Sequence, residues 1–294
     1  MVRKQRRFKT PSPKKLVGAF LLVICLLFVL FPLLLMAAAS FMPEDELARR
    51  YLAVLELGRE PVLPALVPDF PSLKPYADLF LRSPGFFVMF WNSCLQVLCV
   101  LAGQLLVGMP AAWAFARYDF RFKKTIFLLY LILLVMPFQV MMVPSYLVLD
   151  RFRILDTHLA VILPGIFSTF PVYIMEKFFE SIPKSFLEAA RIDGANEFRV
   201  FHRVCLPLFK NPLSALAILQ FLWTWDSYLW PMLMLNDVKK YTITLGLGAL
   251  NGQYGTPIEK MLAGASIAVI PVLIVYLIFQ NRFIEGMAGA SVKG

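Results

Sequence analysis

The sequence predicts an all-α membrane protein with six transmembrane helices, and three observations lead there. The chain of 294 residues is 59% hydrophobic, has a mean hydropathy of +0.70 and carries only 16% charged residues, which excludes an ordinary soluble domain. Six apolar runs reach the roughly 20 residues that a membrane-spanning helix needs. Between the last of the central runs lies a polar segment, residues 180–211, in which 32 residues carry nine charges. Such a segment cannot sit in lipid.

Residues 1–15 form a basic tail that holds seven of the 29 Lys and Arg residues. Its Arg3-Lys4-Gln5-Arg6-Arg7 cluster has the look of a nucleic-acid or localisation patch, as does the net charge of +10. Basic residues set against a first span are instead topogenic and attract anionic lipid headgroups, so no nucleic-acid partner is expected. The first span is Leu16 to Ala39. A basic start, an apolar run and Ala37-Ala38-Ala39-Ser40 also suit a signal peptide, but this run has 24 residues, and a signal core has about 7 to 15. Retention as a helix is the expectation.

Residues 40–85 read as an external loop, with seven acidic and five basic residues and repeated prolines from Pro43 to Pro84. One short amphipathic helix is expected around Glu46 to Leu57; a separate folded domain would need a larger core. Five more spans follow: Phe86 to Phe115, Thr125 to Leu147, Leu159 to Phe179, Pro212 to Leu235 and Met261 to Phe283. Residues 86–283 thus form the main membrane body, with 284–294 as a terminal tail. If the N terminus is cytoplasmic, 19 Lys and Arg fall inside and ten outside. The positive-inside rule therefore favours both termini, and residues 180–211, in the cytoplasm. The opposite stretch Asn236 to Lys260, with Gly246, Gly248, Gly252, Gly255 and Pro257, should bend and offers a contact for a soluble partner.

Within the polar segment, residues 184–192 read as a short helix, Gly194 allows a sharp turn, and residues 196–204 read as a second short helix. Glu188 and Ile192 share one helix face. The two helices would make a rigid knob. In this knob Glu188, Ala189, Ala190, Gly194, Val204, Leu206 and Pro207 match the coupling loop of the membrane subunits of ATP-binding-cassette importers, with Val204 for the usual Ile. Asp193, Ala195, Phe279-Gln280, Arg282-Phe283, Gly286, Gly289 and Val292-Lys293-Gly294 further resemble the second permease subunit of the carbohydrate branch. The resemblance covers roughly residues 85–294.

That resemblance implies a type I importer fold with a cytoplasmic two-helix coupling loop. It implies as partners a second six-helix permease subunit, two ATP-binding subunits and an extracytoplasmic solute-binding protein. It also implies an address in a bacterial or archaeal cell membrane. Glu188 would meet a basic residue in the ATPase groove, Ala189 and Ala190 would keep the helix slim, and Gly194 would supply the turn; Asp193, Leu206 and Pro207 complete the coupling set. The chain itself has no Walker A pattern, since neither Gly-Lys-Ser nor Gly-Lys-Thr occurs. ATP and Mg would be used by the partner, and no cofactor is expected on this chain.

For the solute path the informative stretch is Phe221 to Pro231, where Asp226 falls near the middle of an apolar span. An ionised Asp at the bilayer centre costs about 2.5 to 3.5 kcal/mol on insertion scales, so it should face protein or water. Trp223 and Tyr228 beside it suit carbohydrate, whose C–H faces stack on rings. The related importers usually have Trp-Asn where this chain has Trp225-Asp226; an Asp can accept sugar hydroxyls, select a cationic solute, or pair with a neighbouring helix. Asn92, Gln96, Gly103 and Gln104 recur at helical spacing, as either cavity lining or interhelical glue. Gln139, between Pro137 and Pro144, is a weaker candidate at a kink.

Other chemistries lack their residues. Cys25, Cys94, Cys99 and Cys205 form no CxxC pair, and His158 and His202 fall on opposite sides of the membrane, so no metal site, disulfide or catalytic triad is expected. An ion-coupled secondary transporter is the principal rival, but it usually carries several intramembrane charges and internal repeats. A membrane enzyme would need a converging nucleophile, acid and base.

Overall fold

The computed structural model describes residues 13–52, 66–82, 84–250 and 258–291. Among these residues all regular structure is helical. Four helices are long and apolar enough to cross a membrane: Val17–Ala39, Gly85–Arg117, His158–Glu180 and Ile258–Asn281. Two further pairs bend sharply, Lys123–Val135 with Phe138–Arg151 at 115° and Glu197–Leu208 with Lys210–Trp225 at 79°. Counting each pair as one span gives six.

The chain forms two compact units, residues 1–78 with 255–266, and residues 79–254 with 267–294. In the first, helix α1 (Pro13–Ala39) starts at a proline, whose missing N–H would be unpaired there anyway. Helices α2 (Glu44–Leu47), extended by a π-turn to Leu52, and α3 (Lys74–Ala77) follow. The loop expected over 40–85 is thus partly built into a small core, where Ala39, Met42 and Leu47 pack with Tyr51 and Leu262. Polar ties explain how a short segment holds its shape. Ser40 Oγ lies 2.6 Å from Tyr76 OH, and buried Glu46 accepts from Asp69 N at 2.9 Å and pairs with Arg50 at 3.2 Å. The helix expected to reach Leu57 leaves the described residues after Leu52.

The second unit starts with α4 (Pro84–Gly103), a π-turn (Gln104–Gly108) and α5 (Met109–Arg117), which together make one span. Helices α6 (Lys123–Val135) and α7 (Phe138–Arg151) occupy the expected third span. Here the expected kink is a sharp bend: the residue before a proline is driven out of the helical region, and Met136 sits at φ −66°, ψ 131° before Pro137. The fourth span is α8 (His158–Ile166) and α9 (Thr169–Glu180), interrupted at Phe167–Ser168. Helix α16 (Ile258–Ser291) continues beyond Phe283, so residues 284–291 are helical rather than a loose tail.

Helices α4 and α8 touch through small residues, as membrane helices do where backbones approach closely. A Cβ on Gly103 would fall 2.4 Å from the Ile166 side chain, and one on Gly165 would fall 2.9 Å from Val100. A second fastening lies in the loops. Asp156, at φ 54°, accepts from the backbone N–H of Asn236 and Asp237 at 2.9 and 3.0 Å and pairs with Lys240 at 2.7 Å. The Lys240 ammonium, helped by those two N–H groups, pulls the Asp156 carboxyl down to about 2 from its usual 3.8.

Two outcomes follow from these contacts. Gly103→Val should destabilise the folded chain by about 1–3 kcal/mol through overpacking, read as a lower melting temperature in detergent. Gly85→Ala, where an added Cβ meets nothing within 4 Å, should leave melting unchanged. For Asp156 the folded pKa is depressed, so its contribution is complete above about 3.8 and is lost as pH falls towards about 2. Hydrogen-exchange protection of residues 236–240 should hold from neutral pH down to that window and then collapse.

Candidate functional site

The polar segment folds into helix α10 (Lys184–Ile192), then α11 (Glu197–Arg199), a π-turn (Val200–Cys205) and α12 (Leu206–Leu208). The second helix expected over 196–204 is therefore mostly a π-turn. Helix α10 ends in a complete Schellman motif: Gly194 N–H donates to Arg191 O and Ala195 N–H to Ala190 O, both at 3.0 Å. This requires a left-handed residue, and Gly194 supplies it at φ 79°. Asn196 then caps α11, its Oδ1 accepting from Arg199 N at 2.9 Å.

Side chains lock the corner. Arg191 Nε donates to Glu197 Oε1 at 2.7 Å across the turn, and Tyr118 OH donates to Glu197 Oε2 at 2.9 Å. Both ionic partners are more than two-fifths exposed, so the pair adds little stability but fixes an angle. Arg117 donates to the Phe179 carbonyl and, at 2.9 Å, to that of Ile182, joining the end of α5 to the end of α9.

Beneath the corner runs one continuous core. Leu187, Val200, Phe201 and Cys205 of the polar segment are buried together with Trp113 and Phe115 of α5 and Val172, Met175 and Phe179 of α9. The Trp113 ring lies 5.4 Å from Phe179 and 5.5 Å from Phe201. Above it, Glu188, Ala189, Asp193 and Pro207 are exposed, Ala190 and Leu206 half-buried. Phe186, Ile192 and Phe198 are also exposed, Ile192 by 86%. The exposed surface thus sets an acidic side chain among apolar ones.

The predicted solute residues divide into two groups. Helix α13 (Lys210–Trp225) stops one residue short of Asp226, and α14 (Leu229–Met234) starts after it. The expected continuous span from Pro212 to Leu235 is thus broken at Asp226. Trp225 anchors the break: it is buried, stacks on Phe221 at 5.7 Å and donates from Nε1 to Ala268 O at 3.1 Å. Its own carbonyl, orphaned by the break, accepts from Thr244 Oγ1 at 2.9 Å. Thr244 belongs to α15 (Ile243–Leu250). Asp226 is exposed, with no side-chain bond to its carboxylate among the described residues, and exposed Trp223 and Tyr228 lie on either side in sequence. Gln139 is exposed just after the 115° bend.

Asn92 and Gln96, expected either to line a cavity or to join helices, bond to neighbouring elements. Asn92 Nδ2 donates to the carbonyls of Lys239 and Tyr241 at 2.9 and 3.0 Å, and Gln96 Nε2 lies 3.2 Å from His158 Nδ1. Both are buried. Gln104 likewise donates to Gly165 O at 2.8 Å and Gln220 Oε1 at 3.1 Å. These bonds join α4 and the π-turn after it to α8, α13 and the loop before α15. Sequence reading passed over Thr244, Tyr118 and Glu197, none of which stands out from its neighbours by type. Arg117 at the end of an apolar run was the one available signal.

Comparisons with known proteins agree with this architecture. Residues 104–288 match the family described as binding-protein-dependent transport system inner membrane component. An arabinooligosaccharides transport system permease protein of Halalkalibacterium halodurans is 33% identical over 264 residues, spanning 90% of this chain and 91% of that protein. An sn-glycerol-3-phosphate transport system permease protein of Brucella abortus is 28% identical over 280 residues, spanning 92% and 95%. A lactose transport system permease protein of Rhizobium radiobacter is 30% identical over 206 residues, spanning 70% and 75%. A chain from a bacterial ABC transporter involved in import of the acidic polysaccharide alginate shares the fold, with a TM-score of 0.74, 24% identity, and coverage of 94% of this chain and 99% of that one. With a family match across most of the spans and a relative one-third identical over nine-tenths of its length, the chain belongs to the binding-protein-dependent transport system inner membrane components.

Proposed function

We propose that this chain forms half of the translocation path of an ATP-driven importer for a carbohydrate or related polyol. The relatives named for arabinooligosaccharides, sn-glycerol-3-phosphate and lactose support that solute class. A second six-helix permease subunit completes the path, two ATP-binding subunits hydrolyse ATP with Mg, and an extracytoplasmic solute-binding protein delivers the solute. The charge count supports cytoplasmic termini in the inner membrane, with the α10–α12 knob on the ATPase side.

The observation that carries this reading is the shared core of the knob with α5 and α9. Closure of the ATP-binding subunits moves the knob, and the knob moves those helices with it. ATP favours the outward-facing state only because the motor binds the two conformations with different affinity. Glu188 is the exposed acidic contact for the motor, with Ala189 and Ala190 slim beside it and Asp193, Leu206 and Pro207 on the flanks. At the other end, Asp226 offers carboxylate acceptors at a helix break, with Trp223 and Tyr228 available to stack on a sugar face. The loop carrying α15 faces the binding protein, and the Thr244 bond to Trp225 ties that loop to the break.

Two substitutions test the roles. Glu188→Lys leaves the knob's bonds intact and should abolish solute-stimulated ATP turnover in the reconstituted complex, while the chain still inserts and assembles; preserved stimulation would contradict the coupling role. Asp226→Ala removes a charge-assisted acceptor worth about 1.5–3 kcal/mol, so half-saturation for transported solute should rise about tenfold or more. Unchanged half-saturation across a panel of sugars and polyols would take Asp226 out of the path.

A further inference from the structure

The first compact unit holds a polar cavity at a telling depth. Its volume is about 560 Å³, and its lining includes Glu44, Asp45, Lys74, Asp78, Glu259 and Lys260. The apolar stretch of α1 ends at Ala39 and that of α16 begins at Ile258. Glu44 and Asp45 lie a few residues past the first of these ends and Glu259 and Lys260 lie in the first turn of the second, so the cavity sits at the level where both candidate spans end.

Some of its charges pair within the described residues. Asp45 pairs with Arg49 at 3.4 Å, and Asp78 lies 4.0 Å from Lys260. Glu259 is 8% exposed, and its buried Oε2 meets no hydrogen-bond donor among the described residues. A buried carboxylate oxygen in that state calls for a donor. A bare metal ion does not fit, because among the described residues no three His, Cys, Asp or Glu side chains converge to hold one. A ligand that donates to it can do so through several hydrogens, and an ammonium brings three N–H donors. Lys74 and Lys260, on the same walls, suit an anion carried by the same molecule.

We propose that this cavity binds the headgroup of an aminophospholipid, its ammonium held by Glu259 and Glu44 and its phosphate by Lys74 and Lys260. A zwitterionic headgroup uses both signs of charge, whereas a lone Lys or Arg from a soluble partner would use only the carboxylates. The acyl chains lie along α1, whose Leu33 and Leu34 near this end are 40% and 52% exposed. The volume falls within the ~300–1,000 Å³ of small-molecule sites.

The test uses the purified permease complex, delipidated and placed in nanodiscs of phosphatidylcholine with either phosphatidylethanolamine or phosphatidylglycerol added, and counts tightly held lipid by native mass spectrometry. Phosphatidylethanolamine should be retained about tenfold over phosphatidylcholine, whose methyl groups replace the N–H donors, and over phosphatidylglycerol, which has no ammonium. Glu44→Gln and Glu259→Gln should each bring that preference down towards equality. Lys74→Ala should weaken retention of all three lipids. Glu44 is exposed, so its variant decides the matter if Glu259→Gln folds poorly. Equal retention of the three lipids by the parent chain, as expected if a soluble partner fills the cavity, would overturn the proposal. So would a preference that survives Glu44→Gln.

Discussion

The proposed coupling role rests on one packing contact, the burial of Leu187, Val200, Phe201 and Cys205 against Trp113, Met175 and Phe179. A surface knob held only by its two chain ends would absorb a push. Held by a close-packed core, which is nearly incompressible, it would pass a push on to the helices that share that core. The polar bonds around it serve the same end by fixing direction. Tyr118 and Arg191 converge on Glu197, and Arg117 bridges the ends of α5 and α9. Gly194 is the one residue that lets so sharp a corner close with its carbonyls satisfied.

The membrane imposes the second constraint. In hydrocarbon a backbone group without a partner is costly, so helices break only where something else satisfies them. Here the breaks have such partners. Thr244 supplies the hydroxyl for the Trp225 carbonyl, and Gln104 donates to the Gly165 carbonyl just before the interruption at Phe167–Ser168. Because these partners come from other elements, each break also binds helices together. A break so held can place an exposed carboxylate, Asp226, within an otherwise apolar segment.

Much of this was legible in the sequence. Span positions follow from apolar run length, and α10 has the predicted bounds because its good helix formers end at a glycine that only a left-handed turn requires. What escaped was set by tertiary contact. A helical line of Asn92, Gln96 and Gln104 looks the same whether it faces a channel or a neighbour; only the positions of Lys239, Tyr241, His158 and Gly165, far along the chain, decide. The break at Asp226 was hidden because an apolar run shows no sign of Thr244 arriving from the next loop. The bend at Pro137 was visible as a proline, while its size of 115° was not.

The central claim is that the knob and the helices beneath it move as one body, and a distance measurement tests it most directly. Spin labels at exposed Ala189 in the knob and exposed Asp119 beyond α5, placed in the assembled transporter, would be read by pulsed electron–electron resonance without nucleotide and with ATP trapped. The account predicts an unchanged Ala189–Asp119 distance distribution, while the distance from Ala189 to the second permease subunit's labelled knob shifts. A change in the Ala189–Asp119 distance on ATP binding would mean that the knob hinges on its own, and would contradict the account.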